Sequence, residues 1–219
     1  MFSSDDRGAP DRTRGRLRHM YWLGGGSGSG KSTIARRLAN EHGLQLYATD
    51  DVMKDHGSRI TPEDGPFLTE FIDMDMDERW LNRSPETMLE TFHWFRGEGF
   101  NLIVEDLLNL PADRPVIAEG FRLLPHLVEP LLAVPGHAVW LLPSPGFRRA
   151  AFESRGALWA IAGKTTNPEA ALRNLLERDR MFTDRLRQET TRFGLRAIEI
   201  DAALTEDDLA DQVSRAFGF

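Results

Sequence analysis

The feature that most constrains this chain is a glycine-rich octapeptide, Gly-Gly-Ser-Gly-Ser-Gly-Lys-Ser, at residues 25–32. It matches the pattern G-x-x-x-x-G-K-[ST], in which the backbone N–H groups of a tight loop surround a phosphate. An apolar run at residues 20–23 precedes it and predicts a buried strand, and a helical pattern follows, with Ile34 and Leu38 on one face. A strand, a loop and a helix start thus occur in the order that a phosphate-binding loop requires, whereas a flexible glycine–serine linker does not need that order.

The composition of the loop predicts an anion site with a metal beside it. Glycines allow positive φ and let N–H groups approach an anion, while the helix N-terminus adds partial positive charge. Lys31 is expected to contact the β- and γ-phosphates of ATP, and the Ser32 hydroxyl is expected to bind Mg²⁺. The predicted nucleotide-binding residues are Gly25, Gly26, Ser27, Gly28, Ser29, Gly30, Lys31, Ser32 and Thr33.

The rest of the chain alternates strand and helix patterns. Apolar stretches predict four further strands, at residues 44–48, 116–118, 138–142 and 196–200. A capping residue followed by proline predicts helix starts at Thr61-Pro62, Ser84-Pro85, Ser144-Pro145 and Asn167-Pro168, and Thr205 to Asp208 predicts the cap of a last helix. Strands that alternate with helices indicate an α/β fold with a parallel sheet covered on both faces.

Length and composition predict a single domain, because 219 residues with a hydrophobic share of 41% suffice for a sizeable core. Residues 1–18 are rich in Asp, Arg and Gly and predict a mobile extension, so the domain is expected over 19–219, with Met20 as a candidate later start. The chain contains no cysteine, which excludes thiolate metal sites and agrees with a reducing cytoplasm. No apolar run reaches the ~18 residues of a membrane span, so no membrane partner is expected.

Acidic residues follow two of the predicted strands, at Asp50-Asp51 and at Glu119. The carboxyl ends of parallel strands face the ligand crevice of such a sheet. Glu119 is therefore a candidate Mg²⁺ ligand through water, or else a capping carboxylate. Asp50 is the favoured candidate to accept the proton of an acceptor hydroxyl, and Asp51 is the alternative. Either aspartate could instead serve only as the N-cap of the segment that follows.

Phosphoryl transfer also needs cations over the developing charge. Arg155 ends the helix before a candidate lid at about residues 155–170, and Arg173, Arg178 and Arg180 lie on the helix that follows it. Arg155 and Arg178 are the predicted catalytic arginines, although each taken alone is also typical of a solvated surface.

Charge is unevenly distributed along the chain, whose net charge is -7. Residues 60–110 contain twelve acids and three bases, a balance of -9, and residues 146–196 contain eleven bases and six acids, a balance of +5. The acidic segment argues against a nucleic-acid partner and favours a neutral or cationic acceptor, unless Arg79 or Arg83 compensates locally. Solvated helical faces would produce the same pattern.

Several motifs together resemble one superfamily: residues 25–32, Thr49-Asp50-Asp51, the Val-Ile-Ala-Glu-Gly at 116–120, the arginine-rich stretch at 148–187 and the terminal strand at 197–201. On these the chain resembles the P-loop small-molecule and nucleoside kinases, in the style of shikimate kinase, gluconate kinase, chloramphenicol phosphotransferase and uridine kinase. The resemblance implies a P-loop NTPase fold with a five-stranded parallel sheet in the order 2-3-1-4-5, sandwiched by helices. It also implies a helical acceptor-binding insertion at about residues 52–115 and a closing lid.

The function implied is transfer of a phosphoryl group from ATP, with Mg²⁺, to a hydroxyl of a small molecule. The alternatives are a nucleotide or nucleic-acid-end kinase and a non-kinase P-loop ATPase. The sequence lacks an N-K-x-D motif and a D-x-x-G after the loop, which argues against a GTPase, and it lacks the L-S-G-G-Q of ABC-type ATPases. A homodimer is left open.

Overall fold

The structure is a computed structural model that describes residues 8–155 and 157–219, with the side chains of residues 8–11 and 152–159 outside that description. Gly156, one residue of the predicted lid at about 155–170, and the side chain of the predicted catalytic Arg155 therefore lie outside the described residues. Within them, no helix is long and apolar enough to cross a membrane.

Five parallel strands form one sheet in the order β2-β3-β1-β4-β5. Their bounds are Met20–Gly25 (β1), Gln45–Ala48 (β2), Val116–Glu119 (β3), Ala138–Pro143 (β4) and Arg196–Ile200 (β5). Each strand lies where its apolar run predicts it, and the predicted order 2-3-1-4-5 and α/β class are confirmed. Because every strand is parallel, their carboxyl ends meet at one edge, where the loop after β1 lies between the ends of β3 and β4.

Helices fill the connections between strands. The α-helices before β3 are Gly8–Arg16 (α1), Lys31–His42 (α2), Met53–Arg59 (α3), Pro66–Asp73 (α4), Met76–Trp80 (α5), Pro85–Thr91 (α6), His93–Arg96 (α7) and Phe100–Asn109 (α8). Those after β3 are Pro125–Val128 (α9), Pro145–Arg155 (α10), Ala157–Ala162 (α11), Pro168–Arg192 (α12) and Glu206–Phe217 (α13), with short 3₁₀ turns at Glu129–Leu131 and Pro135–His137. Helices α3 to α8 thus lie between β2 and β3, in the predicted insertion.

The sheet is buried on both faces, as neighbouring residues of β1 illustrate. Trp22 packs in a cluster that includes Phe182 from α12, whereas Leu23 packs on the opposite face in a cluster that includes Ile34 from α2 and Val213 from α13. All these side chains are at most 1% exposed. This two-sided burial explains why the central strands β1, β3 and β4 are mostly continuous apolar runs, whereas the edge strand β5 is largely exposed and contains two charged residues.

Four of the predicted helix caps are present, one of them at the start of α10, where the Ser144 hydroxyl accepts from the backbone N–H of Phe147 at 3.2 Å. The Ser84 side chain accepts from the backbone N–H of Thr87 at 3.2 Å, and the Asn167 side chain accepts from that of Ala170 at 3.1 Å. Thr205 forms a complete capping box at the start of α13. Each cap satisfies an N–H group that has no partner within its helix.

The predicted helix start at Thr61 is wrong, because Thr61 closes a turn instead. Its carbonyl accepts from Gly65 at 2.9 Å and its hydroxyl donates to the carboxylate of Asp64 at 2.7 Å. Helix α4 begins only after that turn, and the Glu98 carboxylate caps it by accepting from the N–H groups of Phe67 and Leu68. The cap therefore comes from a distant residue rather than from the preceding threonine.

The structure describes the predicted mobile extension, residues 1–18, from residue 8 onward. The composition of this segment indicates a structureless chain, but its described part contains a helix. Residues 8–16 form α1, and the Arg14 and Arg16 guanidinium groups donate to the carbonyls of Pro130 and Leu108. Leu17 is 2% exposed. Two arginines and one leucine thus attach this stretch to the domain.

Candidate active site

The glycine loop adopts a conformation that depends on glycine. Gly25, Gly28 and Gly30 have φ of 136°, 75° and 82°, a region that other residues rarely adopt. A Cβ on Gly25 would lie 2.3 Å from the Leu141 carbonyl oxygen, because β1 and β4 are paired there. The loop ends at Gly30, where α2 begins with no side-chain cap. The free N–H groups of that helix N-terminus are a suitable site for an anion.

Lys31 lies folded back over this loop. Its ammonium group donates to the Gly26 carbonyl at 2.9 Å and to the Ser29 hydroxyl at 3.5 Å, and the residue is 8% exposed. Burial lowers the pKa of Lys31, and the carboxylates of Glu119 and Asp50 oppose that shift. The loop itself therefore holds Lys31 near Glu119 and Asp50, the two carboxylates that the sequence predicts to act with it.

Asp50 and Glu119 face Lys31 from the ends of β2 and β3. The two strand ends are joined by the backbone N–H of Thr49, which donates to the Glu119 carbonyl at 2.9 Å. Burial raises the pKa of both carboxyls, and the charge of Lys31 opposes the shift in each case. Ser32 lies close enough to Glu119 to stabilise its ionised form. The structure therefore brings together Lys31, Ser32, Asp50 and Glu119.

Asp51, the alternative to Asp50, has a different environment. Both aspartates are exposed to solvent, but only Asp50 lines the cavity that contains the glycine loop. The charge of Asp51 adds to the rise in the pKa of Asp50. Of the two acids, Asp50 is thus the one positioned to meet a ligand in that cavity.

Arg178 is at the site, but it is paired with a residue that sequence reasoning missed. Its Nε and Nη2 donate to Oδ1 of Asp179 at 2.9 and 2.6 Å, and the two residues are 6% and 1% exposed. Both line the cavity, and Asp179 adds to the negative charge around Lys31. By contrast, Arg173 is exposed, and Arg180 pairs with Glu177 and Asp184.

Arg148, on α10, is a second cation at the loop to which the sequence analysis assigned no role. It is 1% exposed and donates to the Ser27 carbonyl at 3.4 Å, to the Pro143 carbonyl at 3.5 Å and to the Thr183 hydroxyl. Burial lowers its pKa, and Asp179 opposes that shift. The arginine-rich composition of residues 148–187 pointed to this stretch without identifying the residue.

Arg122 lies two residues after Gly120, the glycine that follows β3, and its charge stabilises the ionised form of Asp50. The residue is 2% exposed, its Nη1 donates to the Thr49 carbonyl at 3.5 Å, and its guanidinium lies 4.1 Å from the centre of the Trp94 ring. Its charge lowers the pKa of Asp50 against the effect of burial. Burial in turn lowers the pKa of Arg122 to about 10.

A buried histidine continues this network away from the cavity. Arg122 Nη1 lies 3.1 Å from His56 Nδ1, and because arginine can only donate, Nδ1 must accept. His56 Nε2 then carries the proton and donates to Asp106 at 2.8 Å, and the same carboxylate oxygen accepts from the Tyr47 hydroxyl at 2.7 Å. The network fixes α3 and α8 against the ends of β2 and β3.

A cavity of about 450 Å³ joins the glycine loop to the helices of the insertion. Residues 27–32 and Asp50 line one end of it, with Arg178 and Asp179 between the two ends. We call the other end the aromatic compartment, and six of its rings belong to Phe71, Trp80, Phe92, Trp94, Phe95 and Phe121. Ile161 of α11 lines the compartment as well, so the lid region contributes to its wall.

The acidic segment that favoured a neutral or cationic acceptor does not face this cavity. None of the twelve acids of residues 60–110 is among its described lining. Asp77, for example, accepts from the backbone N–H and the hydroxyl of Thr166 at 2.7 and 2.5 Å, and so attaches the chain after α11 to α5. Arg79 and Arg83 do not line it either, and both donate to backbone carbonyls of the insertion. The charge balance of this segment therefore says little about the acceptor.

The sequence matches no protein-family model and no curated protein. Among solved structures, an uncharacterized protein from Eubacterium ventriosum ATCC 27560 aligns over 91% of this chain and 98% of its own, at 13% identity and a TM-score of 0.48. A gluconokinase from Sinorhizobium meliloti 1021 aligns over 90% of each chain, at 20% identity and a TM-score of 0.44. At these values neither similarity indicates what this chain binds, and the α/β sheet order and the loop geometry stand on their own.

Proposed function

We propose that this protein transfers the γ-phosphoryl group of ATP, with Mg²⁺, to a hydroxyl of a small molecule. The observation that carries the proposal is that Lys31 and Asp50 line one cavity of about 450 Å³ with the glycine loop, and that this cavity continues into the aromatic compartment. A nucleotide-binding loop with an adjoining second compartment suits transfer between two bound molecules better than hydrolysis alone. The cavity size lies in the usual range for small-molecule sites.

In this proposal the nucleotide is bound by the nine residues Gly25 to Thr33. The N–H groups at the start of α2 and the ammonium of Lys31 bind the phosphates. Arg178, Arg148 and the lid residue Arg155 are the candidates to stabilise charge on the transferred group. Asp50 accepts the hydroxyl proton of the acceptor, a role that suits a carboxyl whose pKa is raised by burial.

Ser32 and Glu119 would hold the Mg²⁺ ion. Their donor atoms are hard oxygens at the end of the glycine loop, and the described residues contain no group of three His, Asp or Glu that would form a complete metal site. This donor set fits Mg²⁺, which is bound through one or two carboxylates together with substrate phosphates and water. When bound, the ion neutralises charge on the phosphates during transfer.

The proposal is tested by ADP formation from ATP and Mg²⁺ with and without a library of hydroxyl compounds. Acceptor-dependent ADP release supports a kinase, whereas ADP release that no acceptor changes supports the alternative of a non-kinase ATPase. Activity on nucleic-acid ends or on nucleoside monophosphates alone would instead support the nucleotide or nucleic-acid kinase alternative.

The Lys31→Ala variant tests the nucleotide site itself. We expect acceptor-dependent turnover to fall by roughly 10²-fold or more, the scale for losing one preorganised donor to the reacting group. Lys54→Ala is the matched control, because Lys54 is an exposed lysine on α3 that does not line the cavity. Equal ATP binding and equal turnover in both variants would contradict the assignment of the loop.

A further inference from the structure

The aromatic compartment has walls that suit a flat, apolar ligand. The rings of Phe71, Trp80 and Phe92 pack against one another at angles of 60° to 71°, with centroids 5.3 to 6.0 Å apart. Rings in this arrangement present faces and edges that favour another aromatic ring, and such pairs add to the area that is buried. The rings come from four separate segments, from α4 to the residue after Gly120, so they converge only in the folded chain.

Three buried polar atoms on the cavity lining have no hydrogen-bond partner among the described residues: Arg178 Nη1, Asp179 Oδ2 and His93 Nδ1. All three residues are at most 6% exposed. Buried polar groups without a partner are costly, and where they line a cavity a ligand can satisfy them. Arg178 can only donate and the ionised Asp179 can only accept, so the lining offers both a donor and an acceptor.

The charges at the compartment disfavour a ligand ion of either sign. The Arg178 guanidinium already lies about 5 Å from the centres of the Trp80, Phe92 and Phe95 rings, where a ligand cation would otherwise bind. Asp179 balances that charge and, together with Asp50, would repel an anion. Burial lowers the pKa of His93 to about 3, so its ring is uncharged at neutral pH.

We propose that the acceptor is an uncharged molecule that combines an aromatic or heteroaromatic ring with a hydroxyl group. The ring lies in the aromatic compartment and its polar substituents meet Arg178 and Asp179. This inference rests on the proposed function for the reaction itself: the hydroxyl oxygen forms a bond to the γ-phosphorus, the bond from that phosphorus to the bridging oxygen of ADP breaks, and the hydroxyl proton passes to Asp50. The products are ADP and a phosphate monoester.

Binding of a probe, measured separately from turnover, tests the inference. The probe is 4-nitrobenzyl alcohol, titrated into the protein with MgADP, and binding of it and of each comparison compound is followed by broadening of that compound's carbon-bound proton signals in NMR. The comparison compounds are 4-nitrobenzoate, which is an anion, 4-nitrobenzylamine, which is a cation, and sorbitol, which has hydroxyls without a ring. We expect the dissociation constant of the alcohol to be at least about tenfold lower than that of each comparison compound.

Two variants on the same helix locate the binding site. Phe71→Leu removes a ring that lines the compartment, and Phe67→Leu removes one from the same helix that does not line it. We expect the first to raise the dissociation constant of the alcohol by about three- to tenfold and the second to leave it unchanged. If thermal melting shows that Phe71→Leu does not fold, Phe121→Leu, which removes another ring that lines the compartment, replaces it.

The outcomes separate this inference from the proposed function. Tighter binding of sorbitol or of either charged compound, no detectable binding of the alcohol, or equal effects of the Phe71 and Phe67 variants would each overturn the aromatic acceptor. Turnover of ring-free alcohols would do the same while leaving the kinase intact. Ring-dependent binding of the alcohol, with no hydroxyl compound of any class raising ADP release, would instead overturn the kinase.

Discussion

Gly120 controls the spacing of the two strand ends that carry Asp50 and Glu119, and its replacement gives a sharp prediction. Its φ is +149°, and an added Cβ would lie 1.7 Å from Thr49 Oγ1 and 2.9 Å from Thr49 Cβ. The backbone conformation costs a non-glycine residue about 1–3 kcal/mol, and relieving the overlap costs about 1–3 kcal/mol more. We expect Gly120→Ala to lower the free energy of unfolding by about 2–6 kcal/mol in urea titrations followed by circular dichroism.

Gly194→Ala is the control that separates backbone strain from overlap. Gly194 has φ of +63° and nothing within 4 Å of an added Cβ, so its replacement should cost only about 1–2 kcal/mol. Thr49→Ala removes the atom nearest to the new methyl group, and the double variant Thr49→Ala/Gly120→Ala should be more stable than additivity predicts by about 1 kcal/mol. Equal losses in the two glycine variants, or strict additivity in the double variant, would refute the steric reasoning.

Asp50→Asn should reduce phosphoryl transfer by roughly 10²-fold while ATP binding persists. As pH increases, kcat/KM of the wild type should rise through a pKa above the ordinary 3.8, and the variant should lack this pH dependence. A variant as active as wild type would show that Asp50 is not the proton acceptor. Because the raised pKa lets the folded state bind the proton more tightly, wild type should lose stability relative to Asp50→Asn as pH rises from about 4 through that pKa. A wild type that gains stability relative to the variant over this range would contradict this sign. Thr205→Ala should lower the free energy of unfolding by about 1 kcal/mol, because it removes the capping box of α13. Thr191→Ala is the control and should lower it far less, since the Thr191 hydroxyl only donates to the Arg187 carbonyl near the end of α12. Equal unfolding midpoints in the two variants would refute the stabilising role of the cap.

The sheet could be predicted because each of its signals is local. An apolar run marks a strand buried on both faces, and a capping residue such as Asn167 or Thr205 bonds within its own first turn. The helix start predicted at Thr61 is the exception, and it shows the limit of predicting elements from local signals. At Thr61 the same signature gave the wrong helix start, because the actual cap of α4 is Glu98, more than thirty residues away along the chain.

The site could be predicted best where its residues belong to the loop motif or follow strands. Lys31 was predicted from the glycine-loop motif, and Asp50 and Glu119 were predicted because the carboxyl ends of parallel strands converge. Arg178 was predicted only as one of several arginines on its helix. Arg148 and Asp179 come from helices, and nothing in a helical pattern tells which polar residue will be buried against the loop. A count of charges failed for a related reason, since the acids of the insertion are used to hold backbone and neighbouring side chains rather than to face the cavity.

The charges of Lys31, Asp50 and Glu119 reduce the stability of the fold, and this follows from the direction of their pKa shifts. The pKa of Lys31 is lowered and the pKa values of Asp50 and Glu119 are raised, so each charged form is less stable here than in water. In all three cases burial is the largest cause, so the attraction between these groups offsets it only in part. An anion beside Lys31 and a divalent cation beside the carboxylates would each favour the charged forms. Under the proposed function, ATP with Mg²⁺ would therefore stabilise the charged forms of these three groups, and part of its binding free energy would arise from that stabilisation.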